Sequence, residues 1–220
     1  RPADGLRLIA VTGTNGKSTT VSVTRHLLNS SATAGSIGTL GAFDGAGAPA
    51  GPDLALTTPG ALELHAALAA LRARGVDTVV IEASSHALHQ LRLYGLVFSA
   101  AVYTNLTHDH LDYHGDLQSY LAAKLMLSEQ MSEQGTDVVN ADDPSWEALP
   151  QRDGRRRVLF GRSNRAAVRG GDLVLDEQGS AFSIGFGADH RQARLPLLGE
   201  FNGSNALGAA AAAWALGISP

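Results

Sequence analysis

Short apolar runs alternate with helix-spaced stretches over the first part of the chain. Residues 7–11 (Arg-Leu-Ile-Ala-Val) read as a buried strand. A glycine-rich turn follows, then a helical stretch over 18–28. Apolar residues recur at helical spacing over 61–74, and Gly75 supplies a stop signal. Residues 76–81 are rich in β-branched side chains and predict a second core strand. Residues 100–103 predict a third, 117–131 a helix, and 137–140 a fourth strand. Strands separated by helices predict βαβ units, hence an α/β fold with a mostly parallel sheet and helices on both faces.

The later part changes character. Residues 152–157 form an arginine-rich polar link, read as a solvated loop face. Residues 159–160, 173–175 and 182–186 are short and strand-like, and the turn at 176–179 parts two of them. They predict a small antiparallel β region within 155–200. Residues 205–216 predict an alanine-rich helix ending at Gly217, and Pro220 after it reads as a cut at a linker. Residues 41–52, rich in Gly, Ala and Pro, read as a flexible loop. There is no internal repeat.

Composition narrows the function classes. The 220 residues suit one domain with a real core. An apolar content of 44% excludes a disordered chain. No apolar run reaches the roughly 18 residues that a membrane helix needs, and the start has no signal-peptide pattern. With no cysteine, disulfides, zinc–cysteine sites and thiol catalysis are excluded together. A net charge of −4 argues against a nucleic-acid partner. The expectation is a cytoplasmic monomer without membrane contact. Of 17 basic residues only Lys17 and Lys124 are lysines, so each is a candidate for chemistry that needs a primary amine.

Gly13-Thr14-Asn15-Gly16-Lys17-Ser18 sits between the first strand and its helix, the context of a phosphate-binding loop. Glycines let backbone N–H groups converge on phosphate oxygens, and the helix N-terminus adds its positive end. Lys17 would neutralise the β- and γ-phosphates of ATP, and Ser18 would offer a hydroxyl to Mg²⁺. The strict pattern asks for glycine where Val11 stands. Glu82 closes the second strand, where a doubly wound sheet opens its ligand crevice. It reads equally as a metal-holding acid or an ordinary strand-end acid. Five of the eight histidines fall between 86 and 114. The run 103–115, with His108, Asp109 and His110, could serve a transition metal, though beside a phosphate loop Mg²⁺ fits better. Lys124 lies among Leu121, Leu125 and Leu127 on the next helix. It either snorkels to solvent or acts as a desolvated amine, which can take up CO₂ as a carbamate.

Together the segments 11–18, 57–59, 82–88, 104–115, 123–124 and 199–205 resemble the central ATPase domain of the Mur ligases. Within that family they are nearest the members that add the third residue of the peptidoglycan stem peptide. The motifs run in order along nearly the whole chain and are jointly specific. The resemblance implies a P-loop NTPase-like fold and accounts for Val11, since the family's loop is shortened. It implies that Gly13, Thr14, Asn15, Gly16, Lys17, Ser18 and Thr19 hold ATP, with Asn202 and Asn205 on the adenine side. Ser18 and Glu82 would hold one Mg²⁺, and His110 with a carbamylated Lys124 a second. Thr57, Thr58, Ser84, Gln90 and Arg92 would hold UDP-N-acetylmuramoyl-dipeptide. Ser18 replaces a threonine common in the family, and His108 stands where arginine is frequent. The implied reaction activates the substrate's D-glutamate carboxylate as an acyl phosphate, which the incoming diaminopimelate or lysine attacks. The family's uridine-binding and C-terminal domains have no counterpart in the 220 residues, so the chain alone is expected to be inactive in ligation.

Folylpolyglutamate synthetases and cyanophycin-type ligases share the loop and the chemistry. Residues 84–88 and 109–114 favour the muramoyl enzymes over them. A nucleotide-binding module without ligation would have no use for Glu82, His110 and Lys124.

Overall fold

The computed structural model describes residues 1–218; the expected linker cut at Pro220 lies outside them. Six parallel strands form the centre of one sheet: β1 (Arg7–Thr12), β2 (Ala34–Gly38), β4 (Thr78–Glu82), β5 (Phe98–Tyr103), β6 (Met131–Asn140) and β7 (Arg156–Gly161). Their order across the sheet is β7-β6-β5-β1-β4-β2. On one edge β3 (Gly41–Phe43) pairs antiparallel with β2. On the other, β8 (Val168–Asp176) joins β7 by a short parallel pairing, and β9 (Gly179–Phe186) and β10 (Asp189–Leu195) extend it antiparallel.

The central strands are apolar on both faces because both faces are covered. In β1, Leu8 and Ala10 enter one core with Leu64, Leu68 and Leu71 of α2 (Ala61–Ala73). Ile9 and Val11 enter the other, beneath α1 (Lys17–Leu28) and α6 (Glu200–Ala215). Helix α6 can lie close because its inner face is small. Ala206 and Ala209–Ala213 are buried, and a Cβ on Gly208 would press on the Phe160 ring. Helices α3 (Ser85–His89), α4 (Leu111–His114) and α5 (Leu117–Leu125) complete the fold. Among the described residues no helix is long and apolar enough to cross a membrane.

The expected α/β class and parallel sheet hold, and several boundaries are corrected. The helix expected over 117–131 ends at Leu125; a 3-10 turn over Met126–Gln130 follows, and Met131 already pairs with Phe98 in the sheet. Its apolar spacing persists because the same core lies beneath both segments. The loop expected over 41–52 is partly ordered: β3 starts it, a bridge joins Phe43 to Pro49, and Asp44 accepts from the Ala46 and Ala48 amides. Residues 159–160 belong to parallel β7, not to the antiparallel region. The last helix starts five residues before Asn205, at Glu200, because the polar stretch 202–205 hides its first turn. Strands β2, β3 and β10 carry no apolar signature and were not expected.

The arginine link is not wholly solvated. Arg155 Nη1 and Arg157 Nη2 lie 3.9 and 3.7 Å from the carboxylate of Asp137, which is 1% exposed. Burial pushes the Asp137 carboxyl up, and the two guanidiniums only partly oppose it. Desolvation therefore outweighs attraction here, yet removing the acid would strand two cations. Asp137→Ala is expected to cost about 3 kcal/mol or more in urea unfolding. A loss below about 1 kcal/mol would mean that the group behaves as a surface pair.

Candidate active site

The loop between β1 and α1 is held against the segment leaving β5. Thr14 N donates to Asn105 O (2.7 Å), and Asn15 N donates to Asn105 Oδ1 (3.0 Å). Thr104 Oγ1 donates to Asn15 O (2.8 Å), and Thr107 N donates to Thr14 Oγ1 (2.9 Å). Such contact demands glycine. A Cβ at Gly13 (φ +146°) would collide with Thr104 Oγ1, and one at Gly16 (φ +83°) with the Asn205 amide. Gly16 caps α1 without a side-chain acceptor, so the first-turn N–H groups over Lys17, Ser18 and Thr19 remain open to an anion.

Both lysines converge on this loop. Lys17 Nζ donates to Gly13 O (3.1 Å) and Thr14 O (2.8 Å), and Lys124 Nζ donates to the same Gly13 O (2.7 Å). Lys124, 1% exposed, lies 4.4 Å from the centre of the Tyr120 ring, whose hydroxyl donates to Thr14 Oγ1. Burial pushes the Lys17 amine down, with Glu82 and Asp109 opposing. Burial, and then the charge of Lys17, push Lys124 well below the usual lysine range. Lys124 therefore does not snorkel.

Glu82 reaches the same crevice because β4 lies beside β1, with Glu82 opposite Val11. Its carboxylate is buried and accepts from Thr39 N (2.9 Å) and Thr39 Oγ1 (3.2 Å). Gly38 permits this approach, since a Cβ there would strike the Glu82 carboxylate. Ser18 and Glu82 line one small cleft with Ser36 and Gly38. Beyond it runs a polar lip. Thr57 Oγ1 donates to Thr39 Oγ1, Thr58 Oγ1 donates to Glu82 O (2.6 Å), and Ser84 N donates to Thr58 Oγ1 (3.0 Å). Arg92 Nη1 donates to Thr58 O (2.8 Å), while its Nε and Nη2 donate to Gln90 Oε1.

His110 caps α4 in a left-handed conformation (φ +52°), half exposed, with Nε2 3.6 Å from Asp109 Oδ2. Its ring meets His86 edge-on at 4.8 Å. Burial lowers His86 and His114 below the usual histidine range, helped by their histidine neighbours. Among the described residues no three His, Cys, Asp or Glu side chains gather into a metal-holding group. His108 is exposed, apart from these contacts. On α6, Asn205 covers Gly16, and Asn202 Nδ2 donates to Leu198 O (3.0 Å).

The structure thus gathers Gly13–Ser18, Glu82, Lys124 and the Thr58–Ser84–Arg92 group about one end of the sheet. Thr39 and Tyr120 lie outside every motif segment singled out in the sequence, and Thr104, Asn105 and Tyr113 lie inside the 104–115 segment without an assigned role. Asn105 was findable, since it follows the β5 strand end within two residues. Thr39 was not, because β2 gave no strand signal.

Comparison with known proteins agrees with this geometry. Residues 11–213 match the model of the Mur ligase middle domain. The UDP-N-acetylmuramoyl-L-alanyl-D-glutamate--2,6-diaminopimelate ligase of Xanthomonas campestris is 43% identical over 225 aligned positions, covering all of this chain and 44% of that protein. Its counterpart in Xylella fastidiosa is 42% identical, covering 98% of this chain and 44% of its own length. A solved structure of a ligase of the same name superposes with a TM-score of 0.86 at 32% identity, over 98% of this chain and 44% of that one. The chain therefore spans less than half the length of these relatives. Matched over almost its whole length in both sequence and fold, the chain belongs to the Mur ligase middle-domain family.

Proposed function

We propose that this chain is the ATP-binding middle domain of a cytoplasmic ligase that joins diaminopimelate to UDP-N-acetylmuramoyl-L-alanyl-D-glutamate in peptidoglycan synthesis. The observation that carries the reading is the convergence of Lys17 and Lys124 on the Gly13 carbonyl, beside Glu82 and an open helix N-terminus. The names of the relatives favour diaminopimelate over lysine.

In this reading the amides of residues 13–19 and the Lys17 amine take the ATP phosphates, and Lys17 exchanges its two carbonyl partners for phosphate oxygens. Asn202 and Asn205 flank the adenine. Ser18 and Glu82 fit one Mg²⁺, because a hydroxyl and a carboxylate share one cleft and a hard cation prefers oxygen. When bound, the ion offsets the charge of ATP and acid brought together. Thr57, Thr58, Ser84, Gln90 and Arg92 hold the muramoyl dipeptide so that its D-glutamate carboxylate meets the γ-phosphorus. Phosphoryl transfer gives an acyl phosphate, the incoming amine attacks the carbonyl carbon, and phosphate leaves. The two flanking domains of the longer relatives would supply the uridine and amino-acid contacts.

A second Mg²⁺ at His110 and Lys124 fits only if Lys124 is modified, since an amine offers a hard cation no anionic oxygen. Its burial and lowered basicity raise the share of neutral amine, whose nitrogen carries a lone pair. That nitrogen can bond to the carbon of CO₂ and lose one proton, which yields a carbamate with two oxygens.

Three outcomes test the reading. Lys17→Ala should weaken Mg-ATP binding by at least about tenfold in calorimetric titration of this chain; equal affinities would reduce the loop to a turn. In the full-length protein, Arg92→Lys should raise KM for the muramoyl substrate by about tenfold while KM for ATP stays put, because lysine cannot reproduce the planar fork. An effect on ATP alone would overturn that assignment. Lys124→Ala should abolish ligation and recover part of it with added short-chain carboxylic acids, while Lys124→Arg stays inactive. If no acid restores activity, Lys124 acts as an ordinary cation.

A further inference from the structure

Tyr113 belongs to none of the groups assigned above, yet it touches the one that presents Arg92. Gln90 Nε2 lies 3.1 Å from Tyr113 Oη, and His89 Nδ1 lies 2.9 Å from the same oxygen. The direction of each bond follows from donor chemistry. Arginine only donates, so Gln90 must turn Oε1 towards Arg92, which bonds it through Nε (3.0 Å) and Nη2 (2.5 Å). The Gln90 amide nitrogen then faces Tyr113, whose oxygen accepts. The phenolic proton donates to His89 Nδ1 when the imidazole proton sits on Nε2; in the other tautomer the same oxygen accepts from Nδ1–H. Flipping the Gln90 amide would set N–H against N–H at Arg92, so the guanidinium fixes which way the amide faces, and the bond to the tyrosine oxygen holds the amide in place beneath it.

The ring that carries this hydroxyl is itself fixed. His86 packs over it at 4.2 Å between centroids, and His89 and His114 meet it edge-on at 5.5 and 4.8 Å. Of the five N–H bonds of Arg92, Gln90 and Thr58 engage three. Two remain for an anion, and their direction is set by the three already engaged.

We propose that Tyr113 is a positioning residue for the muramoyl substrate, acting through Gln90 to hold Arg92 in an anion-receiving orientation. The inference rests on the reading of Arg92 as a substrate contact. Tyr113→Phe tests it in the full-length protein, because phenylalanine keeps the ring packing and removes only the oxygen. The expected result is a KM for the muramoyl substrate raised by about fivefold, the loss of one oriented hydrogen bond. KM for ATP, kcat and the melting temperature should stay at their original values, which a merely structural role would not give. Adding Tyr113→Phe to Gln90→Ala should raise KM no further than Gln90→Ala alone. An unchanged KM in Tyr113→Phe, alongside a raised KM in Arg92→Lys, would overturn the role of Tyr113 and leave that of Arg92 standing. An unchanged KM in both would overturn the two together. Additive effects of Tyr113→Phe and Gln90→Ala would also overturn it, because the tyrosine would then act by another route.

Discussion

The carbonyl of Gly13 accepts from two lysine amines at once, and those bonds hold the amines no more than ~6 Å apart. Were both amines charged at that separation, they would repel by about 3 kcal/mol at an effective dielectric of about 20. Both amines are also withdrawn from water, and both lose basicity by burial. The protein alone offers little to offset this, since Glu82 and Asp109 act only at a distance on Lys17 and Asp109 alone on Lys124. A polyanion arriving at the open N-terminus of α1 would relieve the repulsion. A doubly charged pair there would favour the phosphate chain proposed above, and an amine at 124 that gives up its proton would lift the repulsion instead.

Backbone geometry brings the two amines together, and side-chain hydrogen bonds hold it. Gly13 and Gly16 have no Cβ, so β5's exit segment and α6 press directly on the loop. Asn105 and Thr104 then satisfy both the amide and the carbonyl of Asn15. Asn140, at the end of β6, donates to Thr104 O (2.7 Å) and anchors that segment in turn. The order β6-β5-β1-β4 is what brings these strand ends side by side, and it also sets Glu82 across from Val11. The position of the acid relative to the lysines is therefore a property of the sheet, not of flexible side chains.

How much of this was legible depends on how the signal is carried. The glycine-rich loop and the strands β1, β4, β5 and β6 announce themselves, because strands buried on both faces and built from large apolar residues read as continuous runs. Glu82 was readable as a strand end. Strand β2 was not, since Ala-Gly-Ser-Ile-Gly packs by smallness and its glycines serve Glu82 and the neighbouring elements. With β2 unseen, Thr39 and its hold on Glu82 could not be placed. The arginines of 152–157 looked solvated because their partner, Asp137, lies in a strand that reads as apolar. The first turn of α6 was hidden for the opposite reason: Asn202 and Asn205 are buried polar residues, bonded to Leu198 O and packed on Gly16, and they give no apolar signal.

The scarcity of lysine gains a physical meaning in this frame. An arginine at 124 would stay charged in the buried position and could not become neutral there. An amine can shed its proton, hydrogen bond to Gly13 O, and bond to a small electrophile. Under the proposed function the requirement at 17 differs: a compact cation on a flexible stem would leave its two carbonyls to follow phosphate. Arg92 has the reverse task, since its planar fork is fixed by Gln90 and Thr58 before any ligand arrives. Mobility and a removable proton at the phosphate end, rigidity at the other end of the cleft, assign lysine and arginine to different halves of one site.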